Sequence, residues 1–112
     1  MLHGLAMEVG MQFARVIGTV VATQKEQRLD GRKLLVIQPL NIKFEAAGAQ
    51  LVAVDAVGAG SGELVLYATG SSARQTGVTK ETPCDCVIMA IVDLVEKDGE
   101  MIFDKRDARH EA

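Results

Sequence analysis

No run of ten or more residues in this chain carries a 3.6-residue apolar period. The apolar residues come in short aliphatic runs cut by glycine: Val, Ile and Leu number 29 and Gly 11 in 112 residues. Such runs, separated by turn residues, fold as short strands with tight connections. Without the helical period, the architecture is all-β with at most one short helix. The length supports one hydrophobic core and no second domain. With 48% hydrophobic and 24% charged residues, the chain is composed like a folded domain rather than a disordered one.

Phe13 to Thr23 reads as the first strand, with Ala14, Val16, Gly18, Val20 and Ala22 on one face and Arg15, Thr19 and Thr23 mixed into the other. Gly18 in its middle predicts a bend or bulge, as a curling barrel strand needs. Asp30-Gly31 predicts a hairpin turn into Lys33–Gln38, which Pro39 ends by removing a donor. A loop over 40–49 leads to a third strand, Leu51–Asp55. A glycine loop with Gly58, Gly60 and Gly62 follows, then a fourth strand, Leu64–Thr69. Ser71 or Ser72 is placed to cap a single helical turn through Ala73, Arg74 and Gln75. Val87 to Val92 is a strand apolar on both faces, and Asp98-Gly99 predicts a hairpin returning as Glu100–Asp104. About five main strands with a C-terminal hairpin arm close most simply as a small, partly open OB-like Greek-key β-barrel over residues 11–104. Residues 1–10 read as a tail, with Met11 an alternative start to Met1, and 105–112 as a charged tail.

The formal charge of -3 argues against a phosphate-backbone binder. Four aromatics, Phe13, Phe44, Tyr67 and Phe103, are too few to stack single-stranded bases. An OB-type nucleic-acid or small-ligand binding module is therefore the alternative reading and no nucleic acid is the expectation. The longest apolar run is far short of the roughly 20 residues of a membrane span. Glu8 and the lack of an early Lys or Arg speak against a secretory leader, and Cys84 and Cys86 make no disulfide framework, so a cytoplasmic protein is expected.

Catalytic chemistry finds little to work with. His3 and His110 lie in the tails, away from any scaffold that could hold a general base or a metal. Cys84-x-Cys86 offers too few ligands for a structural zinc and has no neighbouring cation to activate a thiolate. The loop Gly58 to Gly62 leads into a strand, where a dinucleotide site needs a helix. Ser71-Ser72 has no base nearby. No catalytic residue, metal or cofactor is expected, and an enzyme using Cys84 or Cys86 is a third reading.

What remains is assembly. A strand apolar on both faces needs a second covering surface, and another copy of the chain is the simplest source. Alternation predicts that one of Ile88 and Ile91 faces the core and the other a subunit seam. The turn Gly70-Ser71-Ser72-Ala73-Arg74 is the other seam candidate, with Arg74 paired to Asp55 or Asp85 across it.

Five segments stand in order along the chain: Ala14-Arg15-Val16-Ile17-Gly18-Thr19-Val20-Val21-Ala22-Thr23-Gln24-Lys25, Leu34-Leu35-Val36-Ile37-Gln38-Pro39-Leu40, Ala53-Val54-Asp55-Ala56-Val57-Gly58-Ala59-Gly60 with Gly62-Glu63, Gly70-Ser71-Ser72-Ala73-Arg74, and Pro83-Cys84-Asp85 with Ile91-Val92-Asp93. In these the chain resembles the EutN/CcmL family, the vertex proteins of bacterial microcompartments. The resemblance implies an OB-like barrel assembled as a cyclic homo-oligomer, with a pentamer favoured, at the corners of a cytoplasmic polyhedral shell. It also implies hexameric shell proteins as partners. Asn41 departs from the family, where an Asp often follows the Pro-Leu pair, and Cys84 and Cys86 replace small aliphatic residues.

Overall fold

Side-chain alternation sorts the strands of the computed structural model, which describes residues 10–23, 27–29, 31–70 and 86–107. In chain order these are β1 Gln12–Val20, β2 Lys33–Leu40, β3 Leu51–Asp55, β4 Leu64–Thr69, β5 Cys86–Ile91, β6 Leu94–Lys97 and β7 Glu100–Asp104, with a 3-10 turn at Gln27–Leu29. The first five close into a barrel in the order β1-β2-β3-β5-β4. Neighbours are antiparallel except β3 and β5, which run parallel through Val54↔Val87 and Asp55↔Ile88. The barrel expected to be partly open is therefore closed.

Its interior is filled by Ala14, Val16, Leu35, Ile37, Ala53, Ala59, Val65, Tyr67 and Ile88. Large and small side chains share this space, as the taper of a narrow barrel demands. Two bulges curl the sheet. Ile17 is the extra residue between Val16 and Gly18 on β1, and Met89 is the extra residue on β5 opposite Leu66 and Tyr67. A side chain at Gly18 would meet Val36 only at 3.8 Å, so the bend there does not need a glycine for space.

β1 and β2 pair antiparallel, as the hairpin expectation had it; Asp30 is outside the described residues, but Gly31 has φ 78° and Arg32 N–H donates to the Leu29 carbonyl at 2.9 Å. Two sequence expectations are corrected. Pro39 lies inside β2, opposite Ala14, and does not end the strand. Its carbonyl accepts from the Ala47 N–H at 2.9 Å, so its backbone faces away from β1 and its missing N–H costs the β1–β2 ladder nothing. The second concerns Ile88 and Ile91. The Met89 bulge resets the alternation, and both pack on the barrel interior while Val87 and Ala90 face outward.

Outside the barrel a second core forms from Leu64, Val92 and Phe103, flanked by Phe13, Leu40, Phe44, Leu66 and Val95. The β6–β7 hairpin lies over one outer face of the barrel and supplies Phe103 and Val95. Its turn is the Asp98-Gly99 signal, with φ 53° and 80°, the type I′ geometry that matches strand twist. Val92 is thus covered within the chain, and Val87 packs with Ala68, Ala56 and Met89, so the apolar run on both faces does not by itself call for a second copy. All three phenylalanines stand in this outer core: Phe44 meets Phe13 edge-on at 5.3 Å and Phe103 at 5.8 Å. Asn41 fixes the loop beneath them. Its Oδ1 accepts from Lys43 and Glu45 N–H, and its Nδ2 donates to Glu45 Oε1 at 3.1 Å, a bond an aspartate would turn into repulsion.

If both isoleucines face inward, Ile88→Ala and Ile91→Ala should each lower the urea midpoint without changing far-UV circular dichroism. Ile88, with no exposed surface, should lose about 2–5 kcal/mol, and half-buried Ile91 less. An Ile91→Ala protein with wild-type stability would show that its side chain lies outside the barrel core.

Candidate assembly surface and the polar cap of the barrel

β3 ends at Asp55, whose side chain is only 3% exposed. Oδ1 accepts from the N–H groups of Val57, Gly58 and Ala59 at 3.0, 3.1 and 3.2 Å, and Oδ2 accepts from Ala59 at 3.0 Å. A carboxylate can take this many donors because it has only acceptors to offer. Lys33 Nζ stands 3.7 Å away across the β2–β3 pair. This winding of the glycine loop about Asp55 sends Ala59 into the barrel interior. The carboxylate expected to meet Arg74 across a seam is occupied by its own loop.

The other end of that loop is held by Glu63. Gly58 and Gly62 have φ 80° and 86°, where a side chain would be strained. Gly60 N–H donates to Glu63 Oε1 at 2.7 Å. Glu63 Oε2 accepts from Lys105 Nζ at 2.7 Å, and Asp93 Oδ1 lies 3.8 Å from the same ammonium. The Lys105 bond, with Gly60 N–H behind it, lowers the Glu63 pKa, and the same pair raises that of Lys105. Arg15 of β1 donates from Nη1 to the Gly62 carbonyl at 2.9 Å. Arg15, Gly62, Glu63 and Lys105, with Ser61, Leu64 and Phe103, line an open cleft of about 270 Å³ between the glycine loop and the hairpin. Within it Glu63 and Lys105 pair with each other and Arg15 is bonded to a backbone carbonyl, and it presents no nucleophile–base couple.

Among the described residues, no group of three His, Cys, Asp or Glu side chains is placed to hold a metal ion, and no helix is long and apolar enough to cross a membrane. Of the residues singled out by sequence, Asp55, Gly58, Gly60 and Gly62 come together in the cap. Gly70 follows β4 with φ 64°. Ile88 and Ile91 are in the barrel core. Ser71, Ser72, Ala73, Arg74, Cys84 and Asp85 lie outside the described residues. Sequence reasoning missed Glu63, Arg15 and Lys105. The spacing of Glu63 three residues after Gly60 was the available signal, but nothing local points to a partner 42 residues on.

It also missed an apolar outer face. Pairing places Gly18, Val20, Leu34, Val36 and Val52 on the outside of β1, β2 and β3, where Val36 stands between Gly18 and Val52. Val52 is 53% exposed, and Ile17 at the β1 bulge is 44% exposed. An apolar face of this kind, with Val36 at its centre, is suited to contact between proteins.

Comparison with known proteins extends this picture. The model of the family described as "Ethanolamine utilisation protein EutN/carboxysome" matches residues 11–93. The carboxysome shell vertex protein CcmL of Synechococcus elongatus is 43% identical over 97 residues, 87% of this chain and 98% of that one. The microcompartment shell vertex protein GrpN of Rhodospirillum rubrum is 46% identical over 86 residues, 77% of this chain and 97% of that one. The structure of Gloeobacter violaceus CcmL superimposes with a TM-score of 0.79 at 40% identity, covering 86% of this chain and 99% of that one. That of the R. rubrum GrpN pentameric shell protein gives 0.69 at 45% identity, covering 77% and 98%.

The cap makes two predictions. Asp55→Ala strands backbone N–H groups in a half-buried loop and should cost about 2–3 kcal/mol in chemical denaturation, with Asp55→Asn losing less because one oxygen remains. Glu63→Gln keeps the acceptor for Gly60 but loses the ion pair, and should cost about 0.5–1 kcal/mol at neutral pH. Because the folded pKa of Glu63 is lowered, its contribution is full above the ordinary glutamate range and is lost as pH falls through the lowered value. The wild-type advantage over Glu63→Gln should therefore vanish in acid; an advantage that persists there would remove the ion pair as its cause.

Proposed function

The chain belongs to the EutN/CcmL family, and from that membership we propose that it is the vertex subunit of a bacterial microcompartment shell, a cytoplasmic protein polyhedron. The observation that carries this is similarity over nearly the whole length of relatives that are themselves shell vertex proteins. Its role is structural rather than catalytic. The partners are copies of itself in a ring of five, with hexameric shell proteins along the outer edges. No observation favours nucleic-acid binding.

The physics of closure supports the ring. Flat six-fold tiles cannot close a shell, and five-fold units supply the missing curvature. A cyclic ring needs a head-to-tail interface, with two different patches on each subunit. The apolar outer face of β1, β2 and β3 is one such patch in this reading, with Val36 and Val52 at its centre. The Gly70-Ser71-Ser72-Ala73-Arg74 turn is the second. With Asp55 engaged by its own loop, Asp85 is the remaining partner for Arg74. Ile88 and Ile91 act from inside the barrel, by holding its shape.

Sedimentation velocity at micromolar concentration should give a species near 60 kDa, five times the 12.0 kDa chain. A monomer there would leave the vertex reading without support. Val52→Asp should yield a smaller species with unchanged far-UV circular dichroism. Arg74→Ala should do the same at a cost of about 2–5 kcal/mol per interface, with Arg74→Lys rescuing only in part because an ammonium lacks the planar fork. Normal assembly of either truncated or charged variant would move the seam elsewhere.

A further inference from the structure

We propose that the β6–β7 hairpin is a detachable strap, docked by the Phe103 ring and the Glu63–Lys105 ion pair, which opens as a unit while the barrel stays folded. The hairpin forms its own two-stranded sheet, and among the described residues no ladder joins it to the barrel. Only Val92 and Asp93 connect it to β5, and the Asp93 side chain is largely exposed. Along both of its strands, Phe103 is the one fully buried side chain. A two-stranded hairpin alone is marginal in water, so its order rests on that docking.

The seat beneath it is unlike the barrel interior. Phe44 holds φ 65°, a left-handed backbone that a bulky side chain rarely adopts. Its ring is held between Phe13 and Phe103. That backbone is fixed by its own loop, the Phe44 N–H donating to the Asn41 carbonyl at 2.9 Å, so lifting Phe103 leaves the seat in place and exposes Leu64 and Leu66. The barrel strands are paired on both sides and rest on no such single anchor. Local opening at a segment with few buried contacts is how low-stability units arise in folded proteins.

The ion pair sets how often the strap opens. Glu63 is faced by Lys105 after β7, by the Gly60 N–H, by Arg15 of β1 across the cleft and, further off, by Lys33 of β2. Asp93 flanks Lys105 on its other side. Of these contacts, only those to Lys105 cross from the barrel to the strap.

Hydrogen exchange read by mass spectrometry on the full chain in its native assembly tests this. Amides of 94–104 should exchange as one set about ten-fold or more faster than those of β1, β2 and β4. Lys105→Ala should raise the rate of that set by about three-fold, the effect of losing an exposed pair, and leave barrel rates unchanged. Hairpin amides that exchange only at the barrel's own slow rate would overturn the proposal. So would a Lys105→Ala protein in which both sets, or neither, speed up.

Discussion

Closure of the barrel passes through one buried carboxylate. Asp55 ends β3, pairs in register with Lys33 on one side and Ile88 on the other, and gathers the backbone donors of the glycine loop. It stands at the short parallel junction where the sheet meets itself. A parallel pair of two residues among those described is a weak closure by ladder hydrogen bonds alone. The wound loop strengthens it by delivering Ala59 as a plug to the interior, so a polar cap and an apolar core are set by the same side chain.

The second layer is built on the first. β4 is buried on both faces, with Val65 and Tyr67 inside the barrel and Leu64 and Leu66 beneath the hairpin. A sheet strand in a chain of this size can be buried twice only if something small covers it, and a hairpin anchored by one aromatic ring is about the least chain that can do so. Over β1, β2 and β3 another outer face is apolar, and Val52 on it is 53% exposed. The proposed vertex role would give the division a plain sense: one outer face is closed by the chain itself and the other is offered to its neighbours.

Much of the fold was legible in the residues. Leu51–Asp55, Leu64–Thr69 and Glu100–Asp104 stand where the glycine and Asp-Gly punctuation put them, because turn chemistry is local. The facing of Ile88 and Ile91 was not legible, since a bulge is decided by the partner strand and one extra residue reverses everything after it. Pro39 misled for a related reason: which way its absent N–H would have pointed depends on register. The role of Asp55 was hidden because sequence shows side chains as candidate partners and leaves out backbone donors. Lys105 met Glu63 only through the return of the hairpin, a tertiary event with no local signature.

The division into two cores also separates the chromophores. The chain has no tryptophan and one tyrosine. Tyr67 lies in the barrel interior with its hydroxyl donating to Gln12 Oε1 at 2.9 Å, and burial raises its pKa. The three phenylalanines all stand in the outer cluster. Tyrosine emission thus reports on the barrel alone, while the fine structure of the phenylalanine bands in near-ultraviolet dichroism reports on the layer above it. The wild-type chain is in this sense its own two-channel optical probe, with no label to add and no residue to replace.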